Sequence, residues 1–471
     1  MQRRNITGIL SVGTSALLAV AIAHAQTPPP PAAPPAAAAP APAAPAAPQF
    51  PPTATIAAGY PGLGPGDPKL RAATLPNGKK VHVLPATLET TQWGWFDNAQ
   101  PPVLRVKSGD TIVLETMMHS HNQVVPGTTI EQIKKSRTDF PGRGPHTLTG
   151  PIYIEEAQPG DVLKVTLNKI VPRAYATNFN VPGMFGQFPT VYQDGQVKYV
   201  YLDLEKMQTE FLPGVVIPLK PFPGTLAVAR KEPGRYSSVP PGEFAGNMDI
   251  RDFATGSSLY VPVHVPGALL WTGDSHAGQG NGEVNLTAIE TAFKEFNITV
   301  EVIKGKPLDF PRVETPKSWI TMGFDADLNK AWDQAKAQTV KFLAEQKNIT
   351  PEAATKLMAT VSDCRVSQVV NVKKGIHCLN PKSGKEDMER PTKETPKYYV
   401  SHAKDADLNK AMNDASMGMI KQMETEKKIA RLDAYGLASV AMDCRVGAVS
   451  DTEKNIHCLM PKSLWTTTAK R

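Results

Sequence analysis

The sequence predicts a mainly β protein: sandwich-type β-domains followed by a C-terminal α+β tandem repeat. Three observations carry this. Gly and Pro are both raised, at 35 and 44 of 471 residues, which favours short strands and turns over long helices. Between 55 and 311 the chain holds short runs rich in β-branched residues, most of them alternating apolar and polar. After Pro311 the texture changes to helical periodicity, and the segment repeats itself at an offset of 80 residues.

The strand runs are Val103–Lys107, Thr111–Thr116, Val162–Leu167 and Ile298–Ile303, bracketed by turn signals such as Ser108-Gly109-Asp110 and Pro159-Gly160-Asp161. No helical pattern longer than about two turns interrupts this region. Many short strands with Gly/Pro turns read as sandwich or barrel architecture.

Glu314–Ser383 and Glu394–Ser463 align without a gap, with 30 of 70 positions identical. Two copies are too few for a solenoid, which needs about three units, so one small unit has been duplicated. Each unit opens with a helix. Leu328, Ala331, Ala335, Thr339 and Phe342 form one apolar stripe, and Asp325 or Asp327 caps it. Thr350-Pro351 starts a second helix with Pro where no amide is missed. Two strands follow, with a turn near Asn371. In the second copy the stripe is Met-rich (Met412, Met419, Met423), and core filling explains it.

The N-terminus reads as an address. Arg3 and Arg4 precede an uncharged, mostly apolar run, and Ala23-His24-Ala25 is a cleavage signature. Residues 1–25 are read as a signal peptide cleaved after Ala25, and the mature protein is expected in the periplasm or secreted. Residues 26–54 form a Pro/Ala-rich linker: Thr27–Pro52 holds 12 Pro, 11 Ala and no charge. The remaining divisions are expected at 55–311, 312–390 and 391–471. No later run is long enough to span a bilayer, so no membrane partner is expected. A net charge of +7, with no basic run interleaved with aromatics, argues against nucleic acid.

All four cysteines lie in the repeats, as one pair spaced by 14 in each copy. An exported chain with paired cysteines favours disulfides. Folding each strand pair back on itself would join Cys364 to Cys378 and Cys444 to Cys458. A zinc site that recruits His377 or His457 is the rival, but its spacing is unusual, and adjacent strand residues face opposite ways.

The densest polar constellation lies between Gly246 and Glu290. Asp274 and His276, two apart on extended chain, face the same side, and a carboxylate with an imidazole suits a divalent ion. Four glycines from Gly273 to Gly282 allow close backbone approach to a ligand, and Glu283 follows as a candidate base. His119 and His121 share a period of two at a strand end. They either ligate together or line a polar loop mouth.

These residues resemble the acetamidase/formamidase family. The likeness runs through Ser108-Gly109-Asp110-Thr111, Gly144–Ile154, Glu156–Leu163, Gly246-Asn247-Met248-Asp249, Gly256–Val263 and Gly273–Glu283, and covers about Ala73 to Ser383 in order. It implies an all-β sandwich with a helical C-terminal part. It also implies hydrolysis of a small linear amide to carboxylate and ammonia, with a divalent metal ion as cofactor, zinc being the expected one. Carried over by position, the metal set is Asp249, Asp274 and His276, and Glu283 is the general base. His146 and Asn247 hold the substrate oxygen, with His146 as a third protein ligand in an alternative arrangement. A serine mechanism through Ser257 or Ser258 is the weaker option.

Where the family commonly carries Asp in Gln-Gly-Asp-Gly-Glu, this chain has Asn281. It also has the second C-terminal copy, which contributes none of the implied site residues and is expected to be surplus to the site. Partners are expected to be a small amide and further copies of the chain in a homo-oligomer. The alternative function is a non-catalytic exported β-sandwich binding protein that keeps the pocket.

Overall fold

The computed structural model describes residues 71–385 and 389–466. The expected signal peptide, its cleavage point and the Pro/Ala linker lie outside the described residues. Within them, no helix is long and apolar enough to cross a membrane.

Two large sheets dominate. A 13-stranded sheet begins at Arg71–Thr74, passes through Thr111–Leu114, Phe293–Ile303, Val162–Pro172 and Ser258–Pro262, and continues without a break into the C-terminal units. A 9-stranded sheet contains Thr147–Ile154, Phe222–Ala227, Ala245–Asn247 and Leu270–His276. Their facing sides supply one core: Leu163, Val165, Leu259 and Ile298 from the first, and Leu148, Ile152, Leu226 and Trp271 from the second. The long strands bury every second residue, as Phe296, Ile298 and Val300 do in Phe293–Ile303, which is the expected signature of a sheet packed on one face. One helix of nine residues, Ile130–Thr138, interrupts the β region. Its capping box pairs Thr129 with Gln132.

Each C-terminal unit is a helix pair on a three-stranded antiparallel sheet. It opens with a strand, Ser318–Asp325 or Tyr398–Asp405, rather than with the helix the sequence suggests, because that strand pairs with the second strand of the hairpin, Lys374–Pro381 or Lys454–Pro461. In the first, helix Leu328–Lys347 is capped by Asp327 and buries the stripe Leu328, Ala331, Ala335, Thr339 and Phe342. Thr350 caps Pro351–Val361. The second copy repeats the plan with Leu408–Glu426 and Arg431–Ala441, and its Met412, Met419 and Met423 are buried. In both hairpins the register sets the cysteines opposite each other, and both disulfides form: Cys364–Cys378 and Cys444–Cys458. Loop-closure estimates for a ring of this size give about 3 kcal/mol each. Non-reducing peptide mapping should recover these two links; a bridge between the copies would contradict the structure.

The copies meet reciprocally. Leu328 N donates to Asn409 Oδ1 at 3.1 Å, and Leu408 N donates to Asn329 Oδ1 at 3.0 Å. Asn329 Nδ2 donates to Asp407, and Asn409 Nδ2 donates to Asp327, each at 2.7 Å. Strands Asp363–Gln368 and Asp443–Val449 pair antiparallel about Arg365 and Arg445. A contact in which residue i meets j while j meets i is the pattern of a two-fold symmetric dimer, here closed within one chain.

The second copy also reaches the Gly-rich loop. Gly280 N donates to the Ser439 carbonyl at 2.9 Å, and Cys444 N to the Asn281 carbonyl at 3.1 Å. Asn281 Nδ2 donates to Asp443 Oδ1 at 2.6 Å. The Tyr435 hydroxyl donates to the Val284 carbonyl at 2.8 Å. This corrects the expectation that the copy is surplus: it forms the floor beneath the loop that carries Glu283. It also accounts for Asn281, since an acid there would face Asp443 across a hydrogen-bond distance in a buried place.

Candidate active site

Strand Leu270–His276 provides the centre. It is buried along its whole length, and Asp274 and His276, two apart on it, both reach one ligand group. Neighbouring strand Phe222–Ala227 contributes Gly224. A Cβ there would lie 2.5 Å from Asp249 Oδ1, 2.5 Å from Asp274 Oδ2 and 2.7 Å from His276 Cε1, so only glycine leaves room for the cluster. The two-residue strand Glu290–Thr291 pairs with the other edge in a register that sets Glu290 opposite His276. Asp249, Asp274 and Glu283 all adopt positive φ, at 50°, 52° and 48°. For residues with a Cβ this is uncommon backbone, of the kind that concentrates at functional sites.

His276 Nε2 lies 3.1 Å from Glu290 Oε2 and 3.3 Å from Asp274 Oδ1, while its Nδ1 lies 3.7 Å from Asp249 Oδ1. His119 Nε2 lies 3.1 Å from Asp274 Oδ1 and 3.3 Å from Glu290 Oε2. His146 Nε2 approaches Asp274 Oδ1 to 3.6 Å, and its Nδ1 is fixed by Ser238 Oγ at 2.8 Å. Three groups result, each with ligand atoms within 4.8 Å of one another: His119/His146/Asp274, Asp274/His276/Glu290 and Asp249/His276/Glu283. The implied set of Asp249, Asp274 and His276 therefore divides, because the two aspartates approach opposite ring nitrogens. Asn247 is beside the cluster with its amide engaged: Oδ1 accepts from Thr225 Oγ1 at 3.0 Å, and Nδ2 donates to the Val239 carbonyl at 3.2 Å.

All six residues named from the sequence thus line one buried place, and all but His276 also line its cavity. The sequence reading missed Glu290, Gly224 and Asn371. Asn371 comes from the first C-terminal unit and donates its Nδ2 to Asp249 Oδ2. His119 was weighed only as half of a histidine pair, and the structure separates that pair. Ser120 and His121 are left-handed in a short helical turn. The His119 ring enters the cluster, while His121 packs at 6.0 Å from Trp93.

Burial sets the electrostatics and the neighbours sort it. Burial, then the Asp274 charge, pushes Asp249 up to about 7. Burial and the Asp249 charge hold Glu283 well above the carboxylate range. Glu290 is also buried, but the charges of His276 and His119 pull it down to about 2. His119, despite burial, is raised to about 9 by Glu290 and Asp274. His146 lacks enough compensation, and burial takes it down to about 4. Neighbouring carboxyls forced this far apart suit separate acid and base roles.

The donor set also fits a divalent cation. Asp249 Oδ1, Glu283 Oε2, His276 Nδ1 and His119 Nδ1 are buried with no hydrogen-bond partner, and His276 Nε2 and Glu290 Oε2 meet only within the cluster, 3.1 Å apart. Unpaired buried polar atoms are costly, and carboxylate with imidazole is a hard-to-borderline ligand set.

A cavity of about 330 Å³ opens onto the cluster. Fold and site together define a β-sandwich protein with a buried carboxylate–imidazole centre at the foot of a small-molecule pocket. The chain belongs to the Acetamidase/Formamidase family, whose model matches residues 88–233 and 232–381. It is similar to the acetamidase of Mycolicibacterium smegmatis, 29% identical over 219 residues, which is 34% of this chain and 54% of that enzyme. The chain thus spans about half the length of that relative. It is also similar to the crystal structure of a predicted acetamidase/formamidase from Thermoanaerobacter tengcongensis. That likeness is 31% identical with a TM-score of 0.57, covering 64% of this chain and 95% of that one. The acetamidase structure from Bacillus halodurans is 27% identical with a TM-score of 0.58, covering 64% and 97%.

Proposed function

We propose that this protein is exported and hydrolyses the C–N bond of a carboxamide, giving carboxylate and ammonium. The observation that carries the reading is the cluster of unpaired buried carboxylate and imidazole atoms under a substrate-sized cavity, in a chain of this family. Asp274, His276 and Glu290 on one side of the imidazole ring and Asp249 on the other, with His119 and His146 beside them, would hold one divalent ion or more, for which zinc is our choice. Such an ion supplies Lewis acidity towards a carbonyl and lowers the pKa of water to about 7.

The chain's own residues do the rest. Glu283 sits at the cavity wall and takes the proton of the attacking water, then returns it to the departing nitrogen. His146 is locked at Nδ1 by Ser238, so its ring can turn only Nε2 to the site, where it orients the substrate oxygen. Asn247 keeps one amide hydrogen beyond its bond to Val239 and is the second candidate for that oxygen. In the balanced reaction one water adds to the acyl carbon, the C–N bond breaks, and ammonia leaves as ammonium.

Purified mature protein should release ammonia from short amides and contain roughly one or more divalent ions per chain by elemental analysis. Glu283→Gln should lower kcat roughly a hundred- to ten-thousandfold with metal content retained. Unchanged turnover in that variant would remove Glu283 from the mechanism.

A further inference from the structure

The site cavity is larger than a formamide- or acetamide-sized substrate needs. At about 330 Å³ it falls in the range of roughly 300–1,000 Å³ typical for ligands of drug size. One wall is apolar: Val124, Ile133, Phe179 and Val181 form a small cluster of their own, with Phe185 and Leu286 packed against it. Two arginines, Arg137 and Arg143, also line the cavity.

Neither arginine has a carboxylate partner among the described residues. Arg137 lies in the last turn of helix Ile130–Thr138 with its guanidinium 5.2 Å from the Phe185 ring centroid. Asp139, two residues further on, is paired with Lys135 at 2.8 Å. The Arg143 guanidinium lies 4.9 Å from the Trp93 ring and 5.4 Å from the Phe140 ring. Aromatic faces hold both guanidiniums by cation–π contact, which leaves their N–H forks unused. Burial draws Arg137 down to about 10, so it stays cationic at neutral pH. Half-buried cations beside the apolar wall of the pocket, with no carboxylate paired to them, are poorly placed for stability and well placed to receive an anion.

We infer that the preferred substrate is a carboxamide whose acyl chain is apolar and ends in an anionic group, such as the monoamide of a dicarboxylic acid. The amide end lies at the carboxylate–imidazole cluster, the methylenes run along the apolar wall, and the distal carboxylate meets Arg137 and Arg143. The inference rests on the amidase reading above and names its substrate class.

The test uses the metal-loaded full chain and two series: succinamate, glutaramate and adipamate, and neutral alkanamides of matched length. One charge-assisted contact corresponds to a preference of roughly ten- to a hundredfold in kcat/KM for the anionic member, falling with added salt. The anionic-to-neutral ratio should collapse towards one in Arg137→Gln or Arg143→Gln, mainly through KM. Arg137→Lys should restore part of it, since charge returns without the planar fork. Calorimetric binding of glutarate gives a readout independent of turnover. Arginine-dependent glutarate binding without turnover of any amide upholds the inference about the pocket and overturns the amidase reading. Turnover of both series with a ratio near one, unchanged by the arginine variants, leaves the amidase reading standing and overturns the inference. Neither binding nor turnover overturns both.

Discussion

His276→Ala should lose bound metal and amide hydrolysis together, with activity falling below detection. His276 belongs to two of the three ligand groups, and its Nδ1 is buried without a hydrogen-bond partner. It is also the positive counterpart of Glu290 and Asp274. Removing it leaves Asp249, Asp274 and Glu290 crowded with less to neutralise them. Deleting one side of a buried ion pair costs about 3–5 kcal/mol, so the variant should also melt earlier. Elemental analysis, circular dichroism and ammonia release on one preparation separate these effects. A folded variant that keeps its metal and its turnover would dismiss the ligand assignment.

Asp274 is left-handed, at φ 52°, so alternation is not the whole of its placement, but the two-residue spacing along one strand that singled out Asp274 and His276 is a local signal. The same holds for the Leu328–Phe342 stripe, which is set by helical period, and for the cysteine pairs, which are set by hairpin register. Glu290 was invisible because nothing local marks it. It becomes a site residue only when a two-residue strand pairs with Leu270–His276 and brings it opposite His276. Asn371 and Gly224 are hidden for the same reason, one at a hairpin turn from the C-terminal unit and the other beneath the side chains it accommodates. His119 and His121 failed in the opposite direction. Spacing suggested a shared face, but left-handed backbone at Ser120 and His121 sends the rings apart.

Truncation after Arg390 should give a protein that aggregates and holds no metal. The sequence alone suggested a folded protein that keeps its metal, with only its oligomeric state or solubility altered, because the second copy carries no candidate site residue. The structure shows what would be lost. Strand Asp363–Gln368 would become a bare sheet edge, which is a template for association. The Gly280–Thr287 segment would lose its bonds to Tyr435, Ser439 and Cys444, and Glu283 lies within it.

A point substitution probes the same contact without exposing an edge. Asn281→Asp sets a second carboxylate against Asp443. Burial raises the Asp443 pKa, but Arg251, Arg365 and Arg445 outweigh it and hold that carboxyl far below its ordinary range, so it stays charged. The variant loses a charge-assisted hydrogen bond of about 1.5–3 kcal/mol and gains a buried like-charge pair. Thermal melting should shift down, and kcat should fall more than KM rises, because the displaced group is the general base rather than a residue that binds the rest of the substrate. Asn281→Asp combined with Asp443→Asn exchanges donor and acceptor across the contact and should recover part of both, a coupling that a double-mutant cycle measures. If the two changes simply add, the Asn281–Asp443 bond does not position the loop. If the truncated chain is soluble, monodisperse and metal-bound, the second copy is not the floor of the site.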